Sequence, residues 1–332
     1  MGQDLYRTRI SGTGHYLPEK RLTNFDLEKM VDTNDQWIRE RTGISSRRIA
    51  AEGEFTSDIA LQASRKALEA AGIGPRDIDM ILVATVTPDE IMPNTACHLQ
   101  RKLGARDCMA IDISAACTGF VYGVAIADQF IKTGLYKHVL VVGADVLHHL
   151  VDYKDRDTCI LFGDGAGAAI ISRSEEAQDS NILAIDLRAD GAIGDVFVLP
   201  AGGSAMPITH EILDKGLHFV RMKGREIFKH AVRTMSDCCT TVLEASKMPP
   251  SDVSWVIPHQ ANIRIIEAVA KHFGISMDQV VVEIEDMGNT SAATVPVALD
   301  KAIRDGRIQR GQNLLLTAFG AGVTSGAVLV RY

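Results

Sequence analysis

One stretch of this chain occurs twice in variant form. LEAAGIGPRDIDMILVAT at 68–85 and LEASKMPPSDVSWVIPHQ at 243–260 align without a gap, matching Pro75 with Pro250 and Asp77 with Asp252. At the same offset of 175 residues, HVLVVGA at 138–144 falls on NLLLTAF at 313–319. A further pair, AGAAIISR at 166–173 and SGAVLVRY at 325–332, matches at a different offset, as connecting loops of unequal length produce. Shared apolar patterning alone explains poorly an ungapped 18-residue match with common Pro and Asp, so the chain reads as an internal duplication. Its 332 residues also exceed the size at which a single core usually stops growing. Two halves are expected, 1–174 and 175–332, with the polar SEEAQDSN at 174–181 as the connection.

Each half alternates helical and strand periods. TSDIALQASRKALEAAG reads as a helix, DMILVATV as a buried strand and TACHLQRKLG as a helix again, followed by strands at 108–113, 138–144 and 168–172. The fold class is therefore α/β, each half a mixed, mostly parallel sheet with helices. GFVYGVAIADQFI is apolar nearly all round, the mark of a helix covered on every side, which places it between the two sheets.

Bulk properties remove several classes of function. A net charge of −7 gives no reason to expect nucleic acid as a partner, and the apolar runs at 80–86 and 139–147 fall far short of the roughly 20 residues a membrane span needs. MGQDLYRTRI has no apolar signal core, and Tyr6 stands where a myristoylation signal carries Ser or Thr, so a cytoplasmic address is expected. Six cysteines without CxxC spacing read as reduced thiols, with no disulfide framework and no metal site.

Three residues then stand at the ends of strands. Cys117, in DISAACTGF, sits at a strand-to-helix turn, where free N–H groups and the helix dipole are expected to lower the thiol pKa. His259 follows a strand in VSWVIPHQANIR, and Asn289 follows another in VVVEIEDMGNTSAA, near the internal counterpart of Cys117. Ligands of parallel α/β sheets bind at the carboxyl ends of strands, so the three side chains are expected to converge. A cysteine-hydrolase reading makes His259 the base and Asn289 its orienter. The alternative makes both of them donors to a thioester carbonyl, stabilising an enolate, while Cys117 carries an acyl group. The second describes carbon–carbon bond formation.

DISAACTGF, VIPHQANIR, GNTSAATVP, AFGAGVTSGAVLVRY and VDTNDQWIRERTGISSRR together resemble the β-ketoacyl-acyl-carrier-protein synthase III family, initiating condensing enzymes of the thiolase-fold superfamily. The resemblance spans essentially the whole chain and implies a thiolase-like fold layered αβαβα. Asn289 carries it to type III, since elongating synthases have a second histidine at that place, thiolases a second cysteine and hydroxymethylglutaryl synthases a glutamate. It implies that a short acyl group passes from acyl-coenzyme A to Cys117, with the oxyanion held by the backbone N–H groups of Cys117 and Ala321. Malonyl-acyl-carrier-protein is then decarboxylated against His259 and Asn289 and condensed with the acyl group.

By motif position, Phe319 lines the site; Trp37 and Arg156 sandwich the adenine of coenzyme A, with Thr33 and Arg41 nearby; Lys229, Arg264 and Lys271 receive the acidic carrier protein; and Met92 lines the acyl pocket, often from a neighbouring subunit. A homodimer is expected. No resident cofactor is implied, coenzyme A thioester being a substrate. The family commonly has three glycines after the Phe, whereas this chain has Gly320-Ala321-Gly322, and alanine is disfavoured if that position needs positive φ. A secondary-metabolite synthase and a non-catalytic acyl-coenzyme A binder are the competing readings.

Two further signals are set aside. GDGAGAA at 163–169 leads into a strand and lacks GK[ST], so it is read as a close-packed turn rather than a phosphate loop. His148 and His149, near Asp145 and Asp152, are read as strand neighbours pointing to opposite faces and so unable to share a metal.

Overall fold

The computed structural model describes residues 5–174 and 181–332, so most of the expected connection at 174–181 lies outside the described residues. The first half supplies strands β1 (Arg7–Tyr16), β2 (Met80–Ala84), β3 (Met109–Ile113), β4 (His138–Asp145) and β5 (Gly165–Ser174), in the spatial order β1-β5-β4-β2-β3. The second supplies β6 (Asn181–Ala189), β7 (Trp255–Pro258), β8 (Asn313–Gly320) and β9 (Thr324–Arg331), in the order β6-β9-β8-β7. The two orders are the same up to the missing last strand. β4 and β8 begin and end at the same offset of 175 residues.

Why these segments are strands follows from what covers them. In β4, Val139 and Val141 face one core while Leu140, Val142 and Ala144 face another, and in β8 Leu314 and Leu316 face inward while Leu315 faces outward. A strand buried on both faces reads as a continuous apolar run, which is how both appear in the sequence. Helices α2 (Thr56–Ala71) and α3 (Thr95–Leu103) cover the outside of the first sheet, and α5 (Gly224–Ser246) and α6 (Ile263–Phe273) the outside of the second; a short helix α1 (Asp35–Thr42) precedes them. Between the sheets lie α4 (Gly119–Lys132) and α7 (Thr294–Arg304), so the layers are αβαβα. Phe120, Val121, Val124 and Ile131 of α4 are all fully buried, as the all-round apolar sequence requires.

Two expectations are corrected. Pairing is not mostly parallel: β4-β2, β2-β3 and β7-β8 are parallel, whereas β1-β5, β5-β4, β8-β9 and β9-β6 are antiparallel. The cause is that the last strand of each half turns back beside its predecessor and is flanked by the half's first strand running the other way. Nor does VVVEIED form a strand. Val280 makes an isolated bridge to Val256, and beyond it the side chain of Gln260 donates to the Val281 carbonyl at 3.1 Å and accepts from the Glu283 N–H at 2.8 Å. A glutamine side chain thus satisfies backbone groups that a ladder would otherwise pair.

The halves interlock through their turns. Residues 116–118 and 291–293, again 175 apart, are single 3-10 turns leading into α4 and α7. Each presses on the other half's sheet: a Cβ added at Gly143 in β4 would lie 2.3 Å from the Ala292 carbonyl oxygen, and one at Gly320 in β8 would lie 2.9 Å from the Cys117 nitrogen. We therefore expect Gly143→Ala to cost about 2 kcal/mol in urea unfolding through overpacking against backbone. Gly191→Ala, where the added carbon meets nothing within 4 Å, is expected to be near neutral.

Candidate active site

Cys117 owes its position to small residues. Ala116 adopts φ 45° and Ser291 φ 53°, both in the left-handed region that costs a non-glycine residue roughly 1–2 kcal/mol. The two strained residues occupy equivalent places in the two halves, and strain of this kind persists where surrounding structure over-determines it. The Ala116 conformation turns the chain so that Cys117 lies at the amino end of the 14-residue helix α4. Among the described residues, its N–H makes no hydrogen bond to a backbone carbonyl.

The other two residues are fixed from both halves. The His259 N–H donates to the Thr317 carbonyl at 2.8 Å, continuing the β7-β8 ladder by one residue, and His259 Nδ1 lies 2.6 Å from Thr294 Oγ1. Asn289 is spliced into the first half: its N–H donates to the Leu161 carbonyl at 2.8 Å and its own carbonyl accepts from the Gly163 N–H at 3.0 Å. Gly288 makes this possible at φ 67°, where a Cβ would come 2.7 Å from the Leu161 oxygen. Asn289 Oδ1 accepts from the Ser291 N–H at 2.9 Å, which leaves the amide nitrogen as the group turned to the cavity. Asn289 follows a 3-10 turn at Ile284–Asp286 rather than the expected strand.

Cys117, His259 and Asn289 line one cavity of about 630 Å³, with Phe319 and Gly320 in its wall. They are 4%, 3% and 5% exposed, so the three side chains sit at the buried end of the opening. Burial settles the ionisation. It pushes the Cys117 thiol up to about 12, with Asp145 adding to the rise and the Ser291 hydroxyl and the Cys117 N–H opposing it. It pushes the His259 imidazole down to about 3. Burial thus opposes the lowering of the thiol pKa expected from the helix terminus. At neutral pH the resting site holds a thiol and a neutral imidazole, not a thiolate–imidazolium pair.

The remaining expected residues divide. Trp37, Arg41 and Arg264 line the cavity. Trp37 is held at the start of α1, its N–H donating to the Asn34 side chain at 2.8 Å. The Arg156 guanidinium lies 4.9 Å from the Trp37 ring centre and Arg41 lies 5.6 Å from it. A base between two planar groups needs about twice a carbon contact distance, roughly 7 Å, so Arg156 has to swing away to admit one. Thr33 lies outside the cavity wall, its hydroxyl buried without a partner among the described residues. Lys229 on α5 and Lys271 on α6 are exposed and away from the wall.

Ala321 is not in the wall either, Gly320 being the residue there. Positive φ in this loop falls on Gly322, at 110°, so the Ala321 methyl meets no backbone strain. Met92, 84% exposed beside Ile91 at 90%, takes no part in this chain's own cavity. His148 and His149 lie on a 3-10 turn, not a strand, with ring centres 3.8 Å apart, and His148 Nδ1 meets Asp164 at 2.5 Å.

Sequence reasoning missed Arg225, Met222 and Phe228 at the cavity wall, and Thr294 behind His259. The first three surround the start of a long amphipathic helix whose docking the sequence does not reveal. Thr294 was open to detection as the equivalent, 175 residues on, of Gly119, which follows the Cys117 turn.

Known proteins match this arrangement over the whole chain. Residues 111–191 match the family described as 3-oxoacyl-acyl-carrier-protein synthase III, and residues 243–332 that described as its C terminal. A beta-ketoacyl-acyl-carrier-protein synthase III of Caldanaerobacter subterraneus subsp. tengcongensis is 52% identical, covering 97% of both chains. One from Xylella fastidiosa strain 9a5c is 52% identical over 100% of both. The crystal structure of 3-oxoacyl-acyl-carrier-protein synthase III from Aquifex aeolicus VF5 is 49% identical with a TM-score of 0.90, covering 98% of this chain and 100% of that one.

A buried thiol ionises only at high pH, which sets a test. Alkylation of Cys117 by iodoacetamide, followed by peptide mass spectrometry, is expected to accelerate about tenfold per pH unit from 7 to 9. A plateau below pH 8 would show that the helix terminus wins.

Proposed function

The chain belongs to the 3-oxoacyl-acyl-carrier-protein synthase III family, and we propose that Cys117, His259 and Asn289 are its working residues. It catalyses the decarboxylating condensation of a short acyl-coenzyme A with malonyl-acyl-carrier-protein to 3-oxoacyl-acyl-carrier-protein, the step that initiates fatty-acid synthesis. The observation that supports the roles best is the meeting of the three side chains in one cavity, with Asn289 Oδ1 occupied by the Ser291 N–H. A neutral imidazole and a carboxamide with its nitrogen turned to the cavity suit donation to a thioester oxygen; a cysteine hydrolase would start from an ion pair.

In the first stage the Cys117 sulfur bonds to the acyl carbon, the bond to coenzyme A sulfur breaks, and the thiol proton ends on the departing thiol. The Cys117 N–H is assigned to the oxyanion; Ala321, the second donor that the family resemblance implies, lies outside the cavity wall. In the second stage malonyl thioester loses carbon dioxide, and the electron pair left on its α-carbon is delocalised onto an oxygen held by His259 and Asn289. That carbon then attacks the acyl-Cys117 carbonyl and the sulfur leaves, regaining a proton. Phe319 keeps water from the enolate.

Trp37, Arg156, Thr33 and Arg41 are assigned to the nucleotide end of coenzyme A, stacking and charge being their shared chemistry. Lys229, Arg264 and Lys271, with Arg225 at the cavity wall, pair with no carboxylate among the described residues. On a chain of net charge −7 they form a local positive face suited to an acidic carrier protein. Ile91 and Met92 are exposed apolar side chains suited to a second copy of the chain, in a homodimer where Met92 reaches the partner's acyl pocket. No helix among the described residues is long and apolar enough to cross a membrane, and a cytoplasmic address completes the proposal.

The two stages separate experimentally. Asn289→Ala is expected to slow carbon dioxide release from malonyl-acyl-carrier-protein by about 100-fold while transfer of an acyl group onto the enzyme proceeds at the wild-type rate. Equal loss of both stages would contradict the role given to Asn289.

A further inference from the structure

Behind His259 stands a hydroxyl with one proton and two neighbours able to accept it. Thr294 Oγ1 lies 2.6 Å from His259 Nδ1 and 3.1 Å from the Ser291 carbonyl oxygen. That carbonyl already accepts the Thr294 backbone N–H, so it does not depend on the hydroxyl. Nδ1 has no other partner among the described residues, and both side chains are buried. The hydroxyl proton therefore does most where the contact is shorter and the acceptor otherwise unmet. Thr294 is also β-branched, at the first position of α7, which limits its rotamers.

We propose that Thr294 is a positioning residue that donates its hydroxyl proton to His259 Nδ1, fixing the imidazole as the tautomer that carries its hydrogen on Nε2 and presents it to the cavity. The inference rests on the functional reading above and deepens it. With Nε2 protonated, His259 acts as a hydrogen-bond donor to the substrate oxygen and has no lone pair in the cavity with which to take the Cys117 proton. The same sulfur, imidazole and carboxamide thereby serve condensation rather than hydrolysis because of a hydroxyl one layer behind them. Which ring nitrogen holds the hydrogen follows from what the other one meets.

Heteronuclear NMR of the imidazole nitrogens reads the tautomer directly, the His259 signals being assigned by their loss in His259→Gln. In the wild-type enzyme near neutral pH, Nδ1 is expected to be unprotonated and Nε2 protonated; protonated Nδ1 would overturn the proposal. Thr294→Val keeps the shape and removes the hydroxyl. It is expected to lose the fixed tautomer and to slow malonyl-acyl-carrier-protein decarboxylation roughly tenfold, with acyl loading of Cys117 unchanged, while Thr294→Ser restores both signals and rate. An unaltered tautomer in Thr294→Val would also overturn it. A wild-type enzyme that releases no carbon dioxide would instead defeat the functional reading, and the tautomer result would stand apart from it.

Discussion

Everything in this molecule depends on the pressing of each half's turn against the other half's sheet. Residues 116–118 sit on the end of β8 and 291–293 on β4, and in each contact a glycine is the only residue that fits. The same contacts hold Ala116 and Ser291 at positive φ, so strain in two turns is offset by burial of two helices between two sheets. Because the turns carry Cys117 and border Asn289, the interface that completes the fold also completes the site. His259 is drawn in by a single extra rung of the β7-β8 ladder.

Burial then decides the chemistry. Burial pushes the Cys117 thiol up and the His259 imidazole down, so both favour their neutral forms. A site buried this deeply suits a carbanion-like intermediate, which loose water would quench. In the proposed roles, donors of fixed orientation replace water: the Asn289 nitrogen, its oxygen being held by the Ser291 N–H, and His259, whose Nδ1 meets Thr294. The opening outside is of a different character, with Arg41, Arg225 and Arg264 along the wall.

Much of this was legible in the sequence. The repeat at an offset of 175 gives the two sheets, the matching strands β4 and β8, and the equivalence of the two turns. The convergence of Cys117 and His259 follows from their places after strands, whereas Asn289 arrives after a 3-10 turn. The failures have physical causes. VVVEIED has the composition of a strand, but one glutamine side chain takes over its backbone partners. The helix terminus beside Cys117 is visible to a linear reading, whereas the burial that pushes its thiol up depends on packing, which is not. Met92 was legible only as a residue facing away from its own cavity.

The central claim is that the thiol of Cys117, distant in sequence from its two partners, is the atom that bears the acyl group. Peptide mass spectrometry of the enzyme after brief exposure to acetyl-coenzyme A tests it most directly. The account predicts a single acetyl group on the peptide containing Cys117, with Cys97, Cys108, Cys159, Cys238 and Cys239 unmodified. Acetylation elsewhere, or equal loading of the Cys117→Ala variant, would contradict it.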